Sequence, residues 1–304
     1  MENKRKAGGQ ALIEGILMMT DSGYAISVRK KNGEIITESK PFKKFIDKNK
    51  KFNFFPLRGI ITFFETLKIG FESLNKSADI YYEDSEEKNK KNEKKVFFDN
   101  ILTVLIALFV GFFIFMFLPI QLVQFLKLNN QLYFNILIGS IRLFFFIIYL
   151  FIISQIKDVK RIFMYHGAEH KTVFTYENGE DLITENVKKY STKHPRCGTS
   201  FLFITLAFAI IFYSVIDTIV FSLLKITNTP VNRFINHIIF LPLIATISYE
   251  LLFLAEKFSK NIFVKILILP GILFQYITTK EPTDDMIEVA INSLKEALKY
   301  SSKE

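Results

Sequence analysis

The chain is expected to be a mainly α, polytopic membrane protein of about four transmembrane helices, carrying a small cytoplasmic α+β domain. Three observations lead there. Half of its 304 residues are hydrophobic and its mean hydropathy is +0.24, too apolar for an ordinary soluble protein, yet 23% are charged, too many for a chain that lies wholly in lipid. The apolar residues gather into runs long enough to cross hydrocarbon, which takes about 20 residues. Lysine and arginine crowd some connections and avoid others, as cytoplasmic and external loops do.

Residues 1–95 are expected to be cytoplasmic. The stretch 7–19 is an apolar run punctuated by Gly8, Gly9 and Gly15, a strand whose missing side chains admit other backbone. Alternation from Tyr24 to Val28, then Asn32-Gly33, Ile35 and Ile36, predicts a hairpin closed by a type I′ turn. Residues 56–82 show helical spacing, with Ile60, Phe63, Phe64, Leu67, Phe71 and Leu74 on one face. This helix is expected to pack on the sheet or lie on the bilayer surface. Residues 83–95 are almost all charged or amide-bearing and form a linker too polar to bury.

Residues 96–156 carry two spans, 96–126 bent by Pro119 and 132–156 with Arg142 inside it. The region 157–198 is a basic polar loop. Residues 199–258 carry two more spans, 202–224 with Asp217 and 238–258 with Pro242 and Glu250. In 259–304, the apolar piece 262–277 is interrupted by Pro270-Gly271 and is expected to be interfacial or re-entrant. The C-terminal helix from Asp284 turns Met286, Ile287, Ala290, Ile291, Leu294 and Leu298 to one face and should dock on the N-terminal unit. The 127–131 and 225–235 connections are short and poor in positive charge, so both termini and the 157–198 loop are assigned to the cytoplasm. No cleaved signal peptide is expected.

A net charge of +9 is accounted for by these basic flanks. A nucleic acid is therefore disfavoured as a direct ligand, except through contact with a ribosome. A single cysteine excludes an internal disulfide.

The chemistry concentrates in the 157–198 loop. Three of the four histidines and the lone cysteine lie there: His166, His170, His194 and Cys197. His166 and His170 are four apart and share a helical face if the region is helical, which suits two ligands of one zinc ion. Glu169 completes a His-x-x-Glu-His pattern, in which the glutamate acts as general base of a metal hydrolase. His194 and Cys197 flank Pro195 like a knuckle that presents two further ligands. Four such ligands would close the coordination sphere and make the site structural. An open fourth position, or substitution by a carboxylate such as Glu14, Glu177 or Glu250, would leave room for water and hydrolysis. Glu250 lies within an apolar span, where an acid costs about 2.5–3.5 kcal/mol unless it finds a partner. Arg142 is one candidate for that partner, and a cation such as Arg58 is one for Glu14. His237 and Asp217 are assigned to the outer ends of their helices.

Gly8-Gly-Gln-Ala-Leu-Ile-Glu-Gly15, Pro56-Leu-Arg-Gly59, Tyr165-His-Gly-Ala-Glu-His-Lys-Thr172, His194-Pro-Arg-Cys-Gly-Thr-Ser-Phe201, Tyr249-Glu250 and Thr278-Thr-Lys-Glu-Pro282 together resemble the YqhQ family of bacterial multi-pass membrane proteins. The resemblance runs nearly end to end. It implies a bacterial plasma membrane location. The family's label, predicted metal-dependent enzyme, would map onto His166, Glu169, His170, His194 and Cys197. Two functions are expected from these readings: a zinc-binding hydrolase at the cytoplasmic face, or a non-enzymatic membrane scaffold. The scaffold would have a structural metal and bind a protein partner such as translocon or ribosome machinery.

Overall fold

The computed structural model describes residues 7–54, 57–83, 93–128, 130–195, 197–227, 229–257 and 261–300. Most of the 83–95 linker, together with Pro56 and Arg196, lies outside these residues.

The N-terminal region is a four-stranded antiparallel meander, one strand more than the strand and hairpin expected: β1 (Gly8–Leu12), β2 (Gly15–Met19), β3 (Gly23–Arg29) and β4 (Ile35–Pro41), in that spatial order. The apolar run 7–19 is folded in two at Ile13-Glu14, pairing Leu12 with Gly15 and placing Glu14 at φ +48°. The β3–β4 turn is not type I′, which needs positive φ at both central residues. Only Gly33 has it, at +90°, and its N–H bonds Lys30 O at 3.0 Å. That is a type I turn followed by a left-handed glycine.

Two helices enclose the sheet, and a third packs along one side. Strand alternation sends Ile16, Met18 and Ala25 to one face, where they meet Met286, Ala290 and Leu294 of the C-terminal helix α11 (Asp284–Leu298). Ser293 of α11 donates to the Ile16 and Ala25 carbonyls at 3.1 and 2.8 Å. Asp284 and Asp285 begin α11 and Lys295 closes it, which suits the helix dipole. The other face sends Leu12, Leu17, Ile26 and Val28 against Ile69 and Ile80 of α2 (Leu57–Tyr82), which follows the short helix α1 (Phe45–Lys48). α2 packs through Gly59, Thr62, Gly70, Ser73 and Ser77, leaving Phe64, Leu67 and Phe71 exposed. Of the side chains that define its apolar face in sequence, Phe64, Leu67 and Phe71 point away from the sheet, whereas Leu74 packs against it.

Four membrane elements were expected, and among the described residues three helical stretches are long and apolar enough to cross a bilayer: Leu105–Gln124, Leu132–Ile153 and Pro230–Glu250. The first joins α3 (Glu93–Phe112), a π-helical turn (Phe113–Phe117) and α4 (Leu118–Gln124). The π turn lies just before Pro119, where the ring obstructs regular α-helix. The second lies in α5 (Gln131–Ile153), whose first turn is capped by the Asn130 side chain. After α6 (Lys157–Glu177) and α7 (Thr184–Lys188) comes α8 (Gly198–Leu224), with a shorter apolar run, Phe208–Leu224. The third full-length stretch lies in α9 (Pro230–Lys257). α10 (Ile262–Thr278) continues as one helix through Pro270 and packs on α8. Within the long stretches most of the apolar surface stays open, Leu108 and Phe109 for example, as a lipid-facing exterior requires.

Candidate metal centre

The 157–198 region is no loop over its first half: α6 occupies Lys157–Glu177. Tyr165 through Val173 are buried without a break, because the helix is wrapped by β1, β2, α7, α11 and the segment after α10. A helix enclosed on all sides shows no polar stripe in sequence. Gly167 makes the tightest crossing possible. A Cβ there would stand 2.0 Å from the Lys280 carbonyl oxygen, and Lys280 N–H bonds Phe163 O at 2.8 Å.

That crossing orients His166. Its Nδ1 lies 2.8 Å from the Thr278 carbonyl, which can only accept, so the proton is on Nδ1 and Nε2 presents a lone pair. His170, one turn on, is held in the same tautomer by the Thr192 carbonyl 2.5 Å from its Nδ1. The two ring centroids are 4.4 Å apart. Cys197 arrives at the start of α8, its N–H turned back to His194 O at 3.3 Å and its Sγ 3.2 Å from His166 Nε2.

The donor atoms of His166, His170 and Cys197 lie within 4.8 Å of one another, and all three residues are buried. They could hold a metal ion. His170 Nε2 is buried with no oxygen or nitrogen to bond, next to the Cys197 thiol. Burial pushes the His170 imidazole below its ordinary range, so it is neutral and needs no deprotonation to ligate. A tetrahedral zinc, with bonds of about 2.0–2.3 Å, separates its ligand atoms by roughly 3.3–3.6 Å. The His166–Cys197 pair is near that already, and the third donor needs to move by about an ångström.

Glu169 shares this end of α6. Its Oε2 is 3.8 Å from His166 Nε2. Burial raises its pKa; His166, His194 and a hydrogen bond from the Gly9 N–H oppose the rise. Gly9 is needed for that approach, since a Cβ would meet Glu169 Cγ at 3.1 Å and Leu17 O at 2.3 Å.

His194 stands beside the three donors. Gln275 clamps its backbone from both sides, accepting its N–H at 2.8 Å and donating to its carbonyl at 2.9 Å. The ring lies edge-on to Phe174, and its Nε2 is 3.4 Å from Glu177 Oε2. Burial lowers its pKa to about 4. Glu14 and Glu250 are engaged elsewhere. Glu14 pairs with Arg161 and accepts from Tyr165 OH at 3.2 Å, while Glu250 accepts from Arg58 Nε at 2.6 Å. Neither Arg142 for Glu250 nor Arg58 for Glu14 is the observed partner.

Sequence reasoning missed Thr192, Thr278 and Gln275, which act through backbone carbonyls or on backbone; Glu177, expected as a possible replacement ligand, lies beside His194 instead. Thr278 sits in one of the motifs that carried the resemblance. The others left no local signal. His237 and Asp217, assigned to the outer ends of their helices, are both buried, with His237 Nε2 3.1 Å from Asp217 Oδ2.

The family described as "Protein of unknown function (DUF1385)" matches residues 55–300. A curated relative, "Uncharacterized protein YqhQ" of Bacillus subtilis (strain 168), is 31% identical over 309 residues, 97% of this chain and 93% of the relative. No solved structure matches the chain.

Proposed function

The chain belongs to the DUF1385 family, and from that premise we propose that it is a bacterial plasma-membrane protein with a zinc site at its cytoplasmic face. His166, His170 and Cys197 ligate the metal, and Glu169 serves as general base for hydrolysis at an open fourth position. Both termini lie in the cytoplasm, as the lysine and arginine distribution requires. One observation carries the reading. Both imidazoles are locked by backbone carbonyls on Nδ1, so that both Nε2 atoms face the one thiol. Metal ligands typically have such outer support, and it leaves the buried His170 Nε2 facing the Cys197 thiol. With His194 turned towards Glu177, three protein ligands remain, the number typical of a catalytic zinc.

Cobalt substitution tests this without a known substrate. Purified full-length protein should bind one ion per chain, show a thiolate-to-cobalt charge-transfer band that Cys197→Ser removes, and shift its visible spectrum when azide is added. Glu169→Gln should keep the metal and the charge-transfer band. A spectrum indifferent to azide would instead favour a closed site.

A second reading, a scaffold with a structural metal and a protein partner on the cytoplasmic face, has its own support. His166, Glu169, His170 and Cys197 are all buried, which suits a staple between α6 and α8. It predicts the azide-insensitive spectrum.

A further inference from the structure

A second constellation of charged groups lies far from the metal centre, inside the membrane helices. Arg142 is ten residues from one end of the Leu132–Ile153 stretch and eleven from the other, which puts it about 15 Å from either end. That is the middle of the hydrocarbon. Asn135 of α5, Asp217 of α8, and Arg233 and His237 of α9 lie nearer the ends joined by the 127–131 and 225–229 connections. All five line one cavity of about 110 Å³, which reaches from those ends towards mid-depth.

The charges in this cavity do not balance. Asp217 is the one acid lining it, and both of its oxygens are taken: Asn236 Nδ2 donates to Oδ1 at 2.6 Å, and Arg233 Nη1 and His237 Nε2 lie 2.8 and 3.1 Å from Oδ2. Arg233 also donates to Asn135 Oδ1 at 2.7 Å. Among the described residues no carboxylate is in hydrogen-bond contact with Arg142, Asp217 acting on it only from across the cavity. Its Nη2 is 2.8 Å from the thioether of Met116, a weak acceptor on the π-helical turn, and its Nε is buried with no partner. A guanidinium at this depth costs stability unless an anion or water faces it, and such residues usually line ligand paths. Arginine is also the residue whose planar fork best matches phosphate.

We propose that the cavity between α5, α8 and α9 binds a phosphate-type oxyanion, free or as a lipid headgroup, with Arg142 as its principal ligand. Arg233 adds positive potential near the mouth while Asp217 and Asn135 keep it in place. The anion supplies the counter-charge that the polypeptide withholds from Arg142.

The test uses the full chain, stripped of lipid in dodecyl maltoside, with thermal unfolding followed in two arms. One arm titrates inorganic phosphate and the other titrates phosphatidylglycerol in mixed micelles, at constant ionic strength. The wild-type midpoint should rise saturably in at least one arm. A response to phosphate alone identifies a soluble anion, and a response to phosphatidylglycerol alone identifies a headgroup. Arg142→Met removes the charge at nearly constant length and should abolish the response, while Arg142→Lys should weaken it about ten-fold or more, since lysine keeps the charge but loses the fork. If Arg142→Met does not fold, the lysine variant alone decides. A wild-type midpoint flat in both arms, a methionine variant that responds like wild type, or a lysine variant with unchanged affinity overturns the proposal.

Discussion

Thr278, the last residue of α10, fixes the tautomer of His166 on α6 by accepting from its Nδ1 at 2.8 Å. α10 and α6 are thus joined through the imidazole nitrogen opposite the one that faces Cys197. Gly167 makes this geometry available, so Gly167→Ala should push the 278–280 segment outward, because its Cβ would stand 2.0 Å from Lys280 O. No ligand is changed. Zinc affinity, measured by competition with a chromogenic chelator, should nevertheless fall about 10–100-fold, the range seen when outer support of a ligand is lost. Unchanged affinity in a folded variant would show that the carbonyl contact is incidental.

The ligand set makes an unequal prediction for the two ends of the knuckle. Cys197→Ser and His170→Ala should each reduce bound zinc to trace levels in elemental analysis of purified protein. His194→Ala should retain close to one ion per chain, because its Nε2 faces Glu177 and its backbone, the part clamped by Gln275, is unaltered. Equal loss from all three variants would restore the four-ligand site.

Acid should destabilise the metal-free protein through its buried histidines. The folded pKa of His194 is about 4 and that of His170 is also depressed, against an unfolded value of about 6.5. Below 6.5 the unfolded chain takes up protons that the folded one refuses, so stability falls with pH until the folded groups titrate in turn. His194 contributes up to about 3 kcal/mol to that loss. Glu169 has the opposite sign: its raised pKa means stability is lost as pH rises from about 4.5 through the folded value. In the shared window two histidines act against one glutamate. Unfolding midpoints measured from pH 7 to 4 should therefore drop, and Glu169→Gln should steepen the drop by removing the compensating limb. A flat profile would mean that these imidazoles are solvated.

Much of the centre was legible because its chemistry is local: His166 and His170 sit one turn apart, and Cys197 is the lone thiol. The rest depends on neighbours with no sequence signal. α6 reads as a polar loop because Glu169, His170, Lys171 and Thr172 are all inside, Lys171 reaching Glu281 and the Lys188 carbonyl. The phenylalanines of α2 suggest an inward face, yet close packing on α9 and the sheet selects its small residues. Gly59 lies 3.1 Å, in Cβ terms, from Thr246 Cγ2. Hydrophobic periodicity reports which surface avoids water, and in a membrane protein that surface can also face lipid or a partner.

Asp217 and Arg233 supply the last prediction, since both side chains are almost wholly buried, at 1% and 2% exposure, in a 2.8 Å ion pair. Removing one member strands the other. Asp217→Asn keeps a polar group for Asn236 but takes the carboxylate charge away from Arg233, a change expected to cost about 3–5 kcal/mol. Arg233→Met should cost as much in a wild-type background, because Asp217 would then be the stranded charge. The double variant should recover most of the loss, as removal of a whole buried pair is often near neutral. The coupling, read from unfolding midpoints in detergent across the four proteins, should be at least about 2 kcal/mol. Strict additivity would mean that water or lipid already solvates the pair, and that the helices α8 and α9 are held together by packing alone.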